Sequence, residues 1–126
     1  MEFPANLKYT KDHEWIRING DIGTIGITDY AQGELGDVVF VELPVVGKVF
    51  KAHESFGTIE AVKAVSDLFA PLSGVVTEVN KELDATPEIV NKDPYEKGWM
   101  VKVKIADTSE LSLLIDAAAY RAHVGK

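Results

Sequence analysis

The chain has 126 residues, of which 46% are hydrophobic and 26% charged, so one globular domain with its own hydrophobic core is expected. Its net charge of -7 argues against nucleic acid and anionic membranes as partners, since both bind clustered Lys and Arg, and favours proteins with basic docking surfaces. The chain has no Cys, which excludes disulfides, zinc-thiolate sites and a thiol nucleophile, so any sulfur redox chemistry needs an attached cofactor.

The N-terminal segment, residues 1–8, has neither the apolar core of a secretory signal nor the Arg-rich character of a transit peptide. No stretch of the chain approaches the roughly 18 apolar residues that a membrane span needs. We therefore expect a cytoplasmic protein of bacterial type, or a protein of the mitochondrial matrix if the chain is a mature organellar form.

Short alternating or β-branched runs, separated by turn residues, predict a mainly β fold. The clearest signal is a hairpin in which Trp15–Ile18 and Ile22–Ile27 flank a turn with Gly20 at its centre. Next, a short helix is predicted, capped by Thr28 or Asp29 and closed by Gly36. Further strands are predicted over residues 37–43, 56–62, 64–69, 75–80 and 99–105.

Residues 84–94 contain two prolines and little periodicity, which predicts a loop with one helical turn at 88–90. After Thr108, which with Ser109 is a candidate N-cap, apolar residues recur on one helical face: Leu111, Leu114, Ile115 and Ala118. The sequence therefore predicts one domain over residues 1–126. Its mostly antiparallel β core spans about residues 8–106, and a C-terminal helix spans about residues 109–122.

Lys63 is the only Lys or Arg between residues 52 and 80, and it lies between two predicted strands. Glu60 and Asp67 flank it almost symmetrically, where they would orient a modifying enzyme. At the tip of a hairpin its amine would point away from the sheet. Most lone lysines are simply solvated, and no typical turn dipeptide stands at Lys63, so the residues alone leave both interpretations open.

A longer pattern resembles a known family. Phe56–Asp67, followed by Ala70–Asn80, is similar to the lipoyl-lysine hairpin of the glycine cleavage system H proteins. Further ordered matches in residues 8–15, 26–32, 35–44 and 90–100 extend the resemblance over about residues 8–120. Several motifs at the family's spacing are more specific than a lysine motif alone. The basic residues 121–126 depart from the more acidic tail that the family predicts.

The resemblance implies a barrel-sandwich hybrid fold, related to lipoyl and biotinyl domains, with lipoate in amide linkage to Lys63. It implies a carrier and not an enzyme. The lipoyl arm would take an aminomethyl group from glycine decarboxylase (P protein) to aminomethyltransferase (T protein) and the reduced dithiol to dihydrolipoyl dehydrogenase (L protein). A lipoate ligase or an octanoyltransferase would attach the cofactor, and a monomer is expected.

The same resemblance suggests Glu14 and Asp67, with Asp12 as a weaker candidate, for a cleft that holds the cationic amine of the loaded arm. Glu60, Gly57 and Gly74 are candidates for recognition by the modifying enzyme, and the two glycines are also expected to allow close backbone approach. No metal site is predicted, because the three histidines show no ligand spacing and are better explained as hydrogen-bonded or solvent-facing side chains: His13, His53 and His123.

Other swinging-arm carriers are less consistent with these residues. A biotin carrier would flank its lysine with methionines, where this chain has Val62 and Ala64. A lipoyl domain of a 2-oxo-acid dehydrogenase would usually show Asp before the lysine and belong to a larger chain. A different function, relay of lipoyl or octanoyl groups to other apoproteins, also occurs in the resembled family. The sequence does not separate relay from shuttle.

Overall fold

Runs of β-branched and aromatic residues form nine strands in the computed structural model, which describes all 126 residues. The strands are β1 Lys8–Tyr9, β2 Glu14–Asn19, β3 Ile22–Ile27, β4 Val38–Glu42, β5 Val49–Phe50, β6 Ser55–Ala61, β7 Val65–Phe69, β8 Gly74–Val79 and β9 Val101–Ile105. The α-helices are α1 Asp29–Leu35, α2 Glu82–Ala85, α3 Ile89–Lys92 and α4 Ala117–Val124, and a 3-10 helix spans Thr108–Leu113.

The strands pair into two antiparallel sheets, one of six strands in the order β1-β2-β3-β9-β8-β5 and one of three in the order β4-β6-β7. Eighteen buried residues from both sheets and the connecting segments form the main core. Ile25 of the larger sheet and Ile59 and Leu68 of the smaller one are at most 1% exposed. Burial of each such side chain contributes about 1.5–3 kcal/mol to stability, so the core holds the two sheets together.

A second, aromatic cluster attaches the C-terminal helix to the larger sheet. Tyr120 of α4 stacks on Tyr9 of β1 with ring centroids 4.8 Å apart and planes 9° apart. Trp15 of β2 belongs to the same cluster, and its indole Nε1–H donates a hydrogen bond to the Pro94 carbonyl at 3.0 Å. Buried indole and phenol groups need such polar partners, and segments next to the cluster supply them.

The predicted hairpin and the helix after it are confirmed. Strands β2 and β3 pair from Glu14↔Ile27 to Asn19↔Ile22 around the Gly20 turn, where φ is +64°. The Thr28 hydroxyl caps α1 by accepting a hydrogen bond from the Ala31 N–H at 3.1 Å. Gly36 ends the helix at φ +82°, a conformation that favours glycine.

The predicted C-terminal helix forms, but not as one helix over residues 109–122, because a 3-10 helix over Thr108–Leu113 is separate from α4 over Ala117–Val124. The 3-10 helix begins after Asp107, whose carboxylate accepts a hydrogen bond from the Ser109 N–H, so neither Thr108 nor Ser109 is the cap. The chain then leaves the helical path at Leu114, and α4 begins after Asp116, which is its N-cap.

Pairing with β1 explains the interruption. Ile115 exchanges two backbone hydrogen bonds with Tyr9, at 2.8 and 2.9 Å, and a helical residue would not be able to make both. Leu114 packs against the main core, whereas Ile115 packs against the aromatic cluster. The apolar residues that predicted one helical face therefore pack against two separate cores, Leu111 and Leu114 against the main core and Ile115 against the aromatic cluster.

Smaller differences concern element ends. Residues 84–94 hold a second helical turn, since α2 and α3 both form there, and β9 starts at Val101 instead of Trp99. Trp99 instead lies half-buried beneath the Lys102 ammonium, 5.1 Å from the ring centroid. The two-residue strands β1 and β5 are too short to produce a periodic signal.

The expected close backbone approach at Gly57 and Gly74 is confirmed. A Cβ at Gly57 would overlap the backbone oxygen of Glu42, and one at Gly74 would lie 2.6 Å from that of Lys104. Both contacts involve the neighbouring strand's backbone, which cannot move without breaking the sheet. Glycine at these two positions is therefore explained by strand packing.

We predict that Gly57→Ala lowers the free energy of unfolding by about 1–3 kcal/mol, because the added methyl group strains the β4–β6 ladder. Gly33→Ala is the matched control, since a Cβ there meets nothing within 4 Å and should raise helix stability by about 1 kcal/mol. Urea denaturation measures both values. An unchanged unfolding free energy for Gly57→Ala would contradict the packing explanation.

Candidate functional site

Lys63 lies exposed at the tip of the hairpin formed by β6 and β7. The ladder runs to Glu60↔Val65, and the Ala61 N–H then donates to the Ala64 carbonyl at 2.8 Å to close the turn. A second backbone bond, from the Val62 N–H to the Asp37 carbonyl at 2.9 Å, ties this tip to the start of β4. The predicted strand-turn-strand arrangement is thus confirmed, with tertiary hydrogen bonding in place of a typical turn sequence.

The amine of Lys63 has no ion-pair partner. Glu60 and Asp67 flank it in sequence, but the ion pairs of the structure are Arg17–Glu96 and Lys102–Glu78. Lys63 is itself exposed, as are Val62 before it and Val65 two residues after it. The side chain is therefore accessible to an acylating enzyme.

A cleft of about 280 Å³ lies between α1, the hairpin strands and the start of β2. The three sequence-predicted cleft residues, Glu14, Asp67 and Asp12, all line it, although 53 positions separate Glu14 from Asp67. The remaining lining residues are His13, Ile27, Tyr30, Ala31, Glu34, Leu35, Ile59, Ser66 and Leu68. The tertiary fold therefore brings the predicted acidic residues together.

Glu14 is the buried acid of this cleft, with an exposed fraction of 2%. Burial raises the pKa of its carboxyl from 4.5 to about 8, and the hydrogen bond from the Thr10 hydroxyl at 2.7 Å only partly opposes this. The proton is therefore retained at neutral pH in the absence of a cation. A positive group that enters the cleft would favour the carboxylate.

Asp12 and Asp67 lie exposed at the rim of the cleft. On β7, strand alternation places Ser66 on the same face as buried Leu68 and Asp67 on the opposite one. Ser66 is itself exposed, and it lines the cleft together with Leu68 and Asp67. It was missed as a cleft residue, although the alternation of Leu68 with its neighbours carried the signal.

His13 is a second cleft residue that sequence reasoning did not assign to the site. Its Nδ1 shares a 2.8 Å hydrogen bond with the Tyr120 hydroxyl, which is in turn 2.7 Å from the Thr28 hydroxyl that caps α1. Burial, followed by the nearby His123, lowers the pKa of His13. The expectation of a hydrogen-bonded histidine is confirmed here, and the contact links α4 to the wall of the cleft.

The recognition candidates lie apart from the cleft. Glu60 is exposed on β6, three residues before the lysine, whereas Gly57 is half-buried within β6 and Gly74 is buried at the start of β8. None of the three lines the cleft. Recognition of these residues by a modifying enzyme stays a prediction.

A larger groove, of about 980 Å³, contains none of the predicted site residues. Its lining includes both salt bridges, Arg17–Glu96 and Lys102–Glu78, and the half-buried Trp99. Four basic and four acidic residues line this groove, so its lining has no net formal charge. No helix in the structure combines the length and apolarity needed to cross a membrane.

The protonated Glu14 generates a pH prediction. Because its pKa is about 8 in the folded protein and 4.5 ordinarily, the folded state binds the proton more tightly. The contribution of the Glu14 proton to the free energy of unfolding is fully present below pH 4.5 and is lost as pH rises through about 8. Gln has the shape of the Glu side chain and stays neutral at every pH. We therefore expect the Glu14→Gln protein to keep its stability over this pH range, where the wild type loses stability.

Urea unfolding of both proteins between pH 5 and about pH 9 measures the difference. His13 acts in the opposite direction, because a lowered pKa in the folded state adds stability as pH rises through 6.5. That contribution is common to both proteins and cancels in the comparison. Parallel stability profiles for wild type and Glu14→Gln would contradict a protonated Glu14.

Comparison with known proteins agrees with this geometry. A family model described as Glycine cleavage H-protein matches residues 7–126. The Glycine cleavage system H protein of Bacteroides thetaiotaomicron is 59% identical over 124 residues, with 98% of each chain covered. That of Staphylococcus carnosus is 56% identical over 126 residues, with 100% of both chains covered.

The fold is also that of a solved relative. The crystal structure of a glycine cleavage system H protein from Mycobacterium marinum matches with a TM-score of 0.91 at 42% identity, covering 98% of this chain and 100% of the other. The expected barrel-sandwich fold, with short helices and a C-terminal helix, is confirmed. The chain belongs to the glycine cleavage H-protein family, the lipoate-carrying shuttles of the glycine cleavage system.

Proposed function

We propose that Lys63 is the lipoyl attachment site and that Glu14, Asp67 and Asp12 line the cleft that receives the loaded arm. The observation that carries the proposal is an exposed, unpaired lysine at a hairpin tip, on the same strand pair that forms one wall of a cleft with a buried carboxyl. We propose that the protein acts as a carrier and not as an enzyme. The bacterial relatives named above support a cytoplasmic location.

The residues of the chain suit the cofactor. An amide bond to lipoate needs an accessible primary amine, and Lys63 offers one with no competing salt bridge. Acylation removes one positive charge and takes the formal net charge from -7 to -8. When attached, lipoate supplies the dithiol that a chain without Cys lacks.

The proposed partners are glycine decarboxylase (P protein), aminomethyltransferase (T protein) and dihydrolipoyl dehydrogenase (L protein), with a lipoate ligase or octanoyltransferase for attachment. Tethering the cargo to Lys63 supports this, since it replaces free diffusion by a high effective concentration at each partner. The protein is proposed to meet each partner as a monomer.

The surface beside the lysine supports docking of basic partners. Phe40, Glu60 and Val65 lie in one row across β4, β6 and β7, and all three are exposed. Phe40 is 48% exposed and Val65 66%, which gives a partner apolar area to bury next to an acidic group. Glu60 is therefore the recognition candidate whose position best supports its proposed role.

Within the cleft, burial decides which acid matters most. Two unit charges 4 Å apart attract by about 1 kcal/mol in water but by about 4 kcal/mol at an effective dielectric of 20. The value for water applies to the exposed carboxylates of Asp12 and Asp67, and the larger value applies to the buried carboxylate of Glu14. Glu14 is accordingly proposed to provide most of the attraction for a cationic amine, with the rim acids guiding its entry.

Attachment is tested directly by mass. We expect protein from lipoate-sufficient cells to show one lipoyl adduct by intact mass, located on Lys63 by peptide mapping. Lys63→Arg should keep the fold, because the side chain is exposed, and should abolish glycine decarboxylation in the reconstituted system. An adduct elsewhere, or activity that survives in Lys63→Arg, would refute the assignment.

Retention of the cargo tests the cleft. We expect Glu14→Gln to speed the loss of radiolabelled one-carbon cargo from loaded protein by about tenfold, the effect of roughly 1.4 kcal/mol. Asp12→Asn is the matched control, because it removes the same charge from an exposed position and should change the rate less than about twofold. Equal rates for the two variants would show that burial of Glu14 has no role in retention.

A further inference from the structure

The stem of the Lys63 side chain lies against Gly36, the residue that ends α1. A Cβ built on Gly36 would be 2.7 Å from the lysine Cε, 3.5 Å from its Cγ and 3.6 Å from its Cδ. Three carbons of the stem thus follow the backbone of this glycine. Gly36 has φ +82° and ψ -161°, a conformation that side chains strongly disfavour, so two separate constraints require glycine here.

Asn91 of α3 holds the chain on both sides of Gly36 in place. Its amide Nδ2 donates hydrogen bonds to the Gly36 carbonyl at 2.9 Å and to Gln32 Oε1 at 3.0 Å. Its Oδ1 accepts a hydrogen bond from the Val38 N–H at 2.8 Å. Both amide hydrogens and the amide oxygen are used, so the end of α1 and the start of β4 are joined to α3 by one side chain.

The same segment also binds the lysine hairpin. Asp37, between Gly36 and Val38, accepts the backbone hydrogen bond from Val62, the residue before the lysine. Leu35, the residue before Gly36, lines the cleft. The root of the lysine side chain is therefore placed, through consecutive residues, at the end of the cleft wall that α1 forms.

We propose that Gly36 and Asn91 are positioning residues for the lipoyl arm, with Asn91 fixing Gly36 so that its bare backbone seats the Lys63 stem at the end of the cleft. This inference rests on the proposed attachment to Lys63. The seat limits the directions in which the arm leaves the hairpin. It thereby raises the effective concentration of the arm at the cleft and presents the unmodified amine in one orientation.

Acylation converts the terminal amine to an amide but leaves the stem carbons unchanged. The stem contact with Gly36 therefore remains as the positioning interaction in the modified protein.

The first test compares Gly36→Ala with Gly47→Ala. Both residues have positive φ, +82° and +94°, but a Cβ at Gly47 meets nothing within 4 Å. The quantity measured on each unmodified protein is kcat/KM for acylation by a lipoate ligase with lipoate and ATP. We expect Gly36→Ala to lower it about tenfold and Gly47→Ala to leave it unchanged.

The second test avoids backbone strain at residue 36. Asn91→Asp keeps the acceptor for Val38 but replaces the amide donor that faces the Gly36 carbonyl with an oxygen. Asn19→Asp adds the same charge at an exposed position and is the control. We expect Asn91→Asp, still folded by circular dichroism, to weaken the nuclear Overhauser effect between the Gly36 α-protons and the Lys63 ε-protons and to lower acylation kcat/KM, while Asn19→Asp matches wild type.

The outcomes separate the two proposals. Wild-type protein that acquires no adduct at Lys63 would overturn the proposed function. Wild-type protein that is acylated normally, with the Overhauser effect and kcat/KM of Asn91→Asp equal to those of Asn19→Asp, would overturn the seat alone. Slower acylation of both Gly36→Ala and Asn91→Asp, together with a weaker Overhauser effect in Asn91→Asp, supports it.

Discussion

One backbone hydrogen bond, from the Val62 N–H to the Asp37 carbonyl, joins the lysine hairpin to the segment between α1 and β4. The β4–β6 ladder places Val38 beside Ala61, and this bond continues the connection to the tip of the hairpin. With it, the lysine, the end of α1 and the first residue of β4 form one unit. Asn91 holds this unit together by hydrogen bonds to the Gly36 carbonyl and from the Val38 N–H. If Lys63 carries the lipoyl arm, as proposed, this unit fixes the root of the arm relative to the cleft.

The cleft illustrates how a fold gives one acid an environment that its neighbours lack. Asp12, Glu14 and Asp67 carry the same functional group, yet only Glu14 is removed from water. Removal from water stabilises its protonated form, so the empty cleft holds no buried charge that would destabilise the fold. A cationic cargo would reverse that balance locally, because an ion pair in the cleft is attenuated less than one at the rim.

The C-terminal segment shows a case in which helical spacing of apolar residues did not predict the helix that forms. Leu111, Leu114 and Ile115 have helical spacing, and helical spacing would suffice if all of them faced one core. They face two, because the aromatic cluster around Tyr120 is separate from the main core, and the bridge to Tyr9 satisfies backbone groups that a helix would otherwise pair internally. His13 was overlooked for a similar reason, since its partner Tyr120 is 107 positions away.

By itself, the sequence determined the β-rich class, the β2–β3 hairpin, the caps of α1 and the isolation of Lys63, because these depend on neighbours in the chain. Its ordered motifs also sufficed to indicate the family. Only the tertiary structure decided that Glu14 is buried while Asp12 and Asp67 are not, that Ser66 and His13 line the cleft, and that Gly36 lies under the lysine stem. Burial and contact are properties of pairs of distant segments, and no local pattern encodes the distance between β2, α1 and β7.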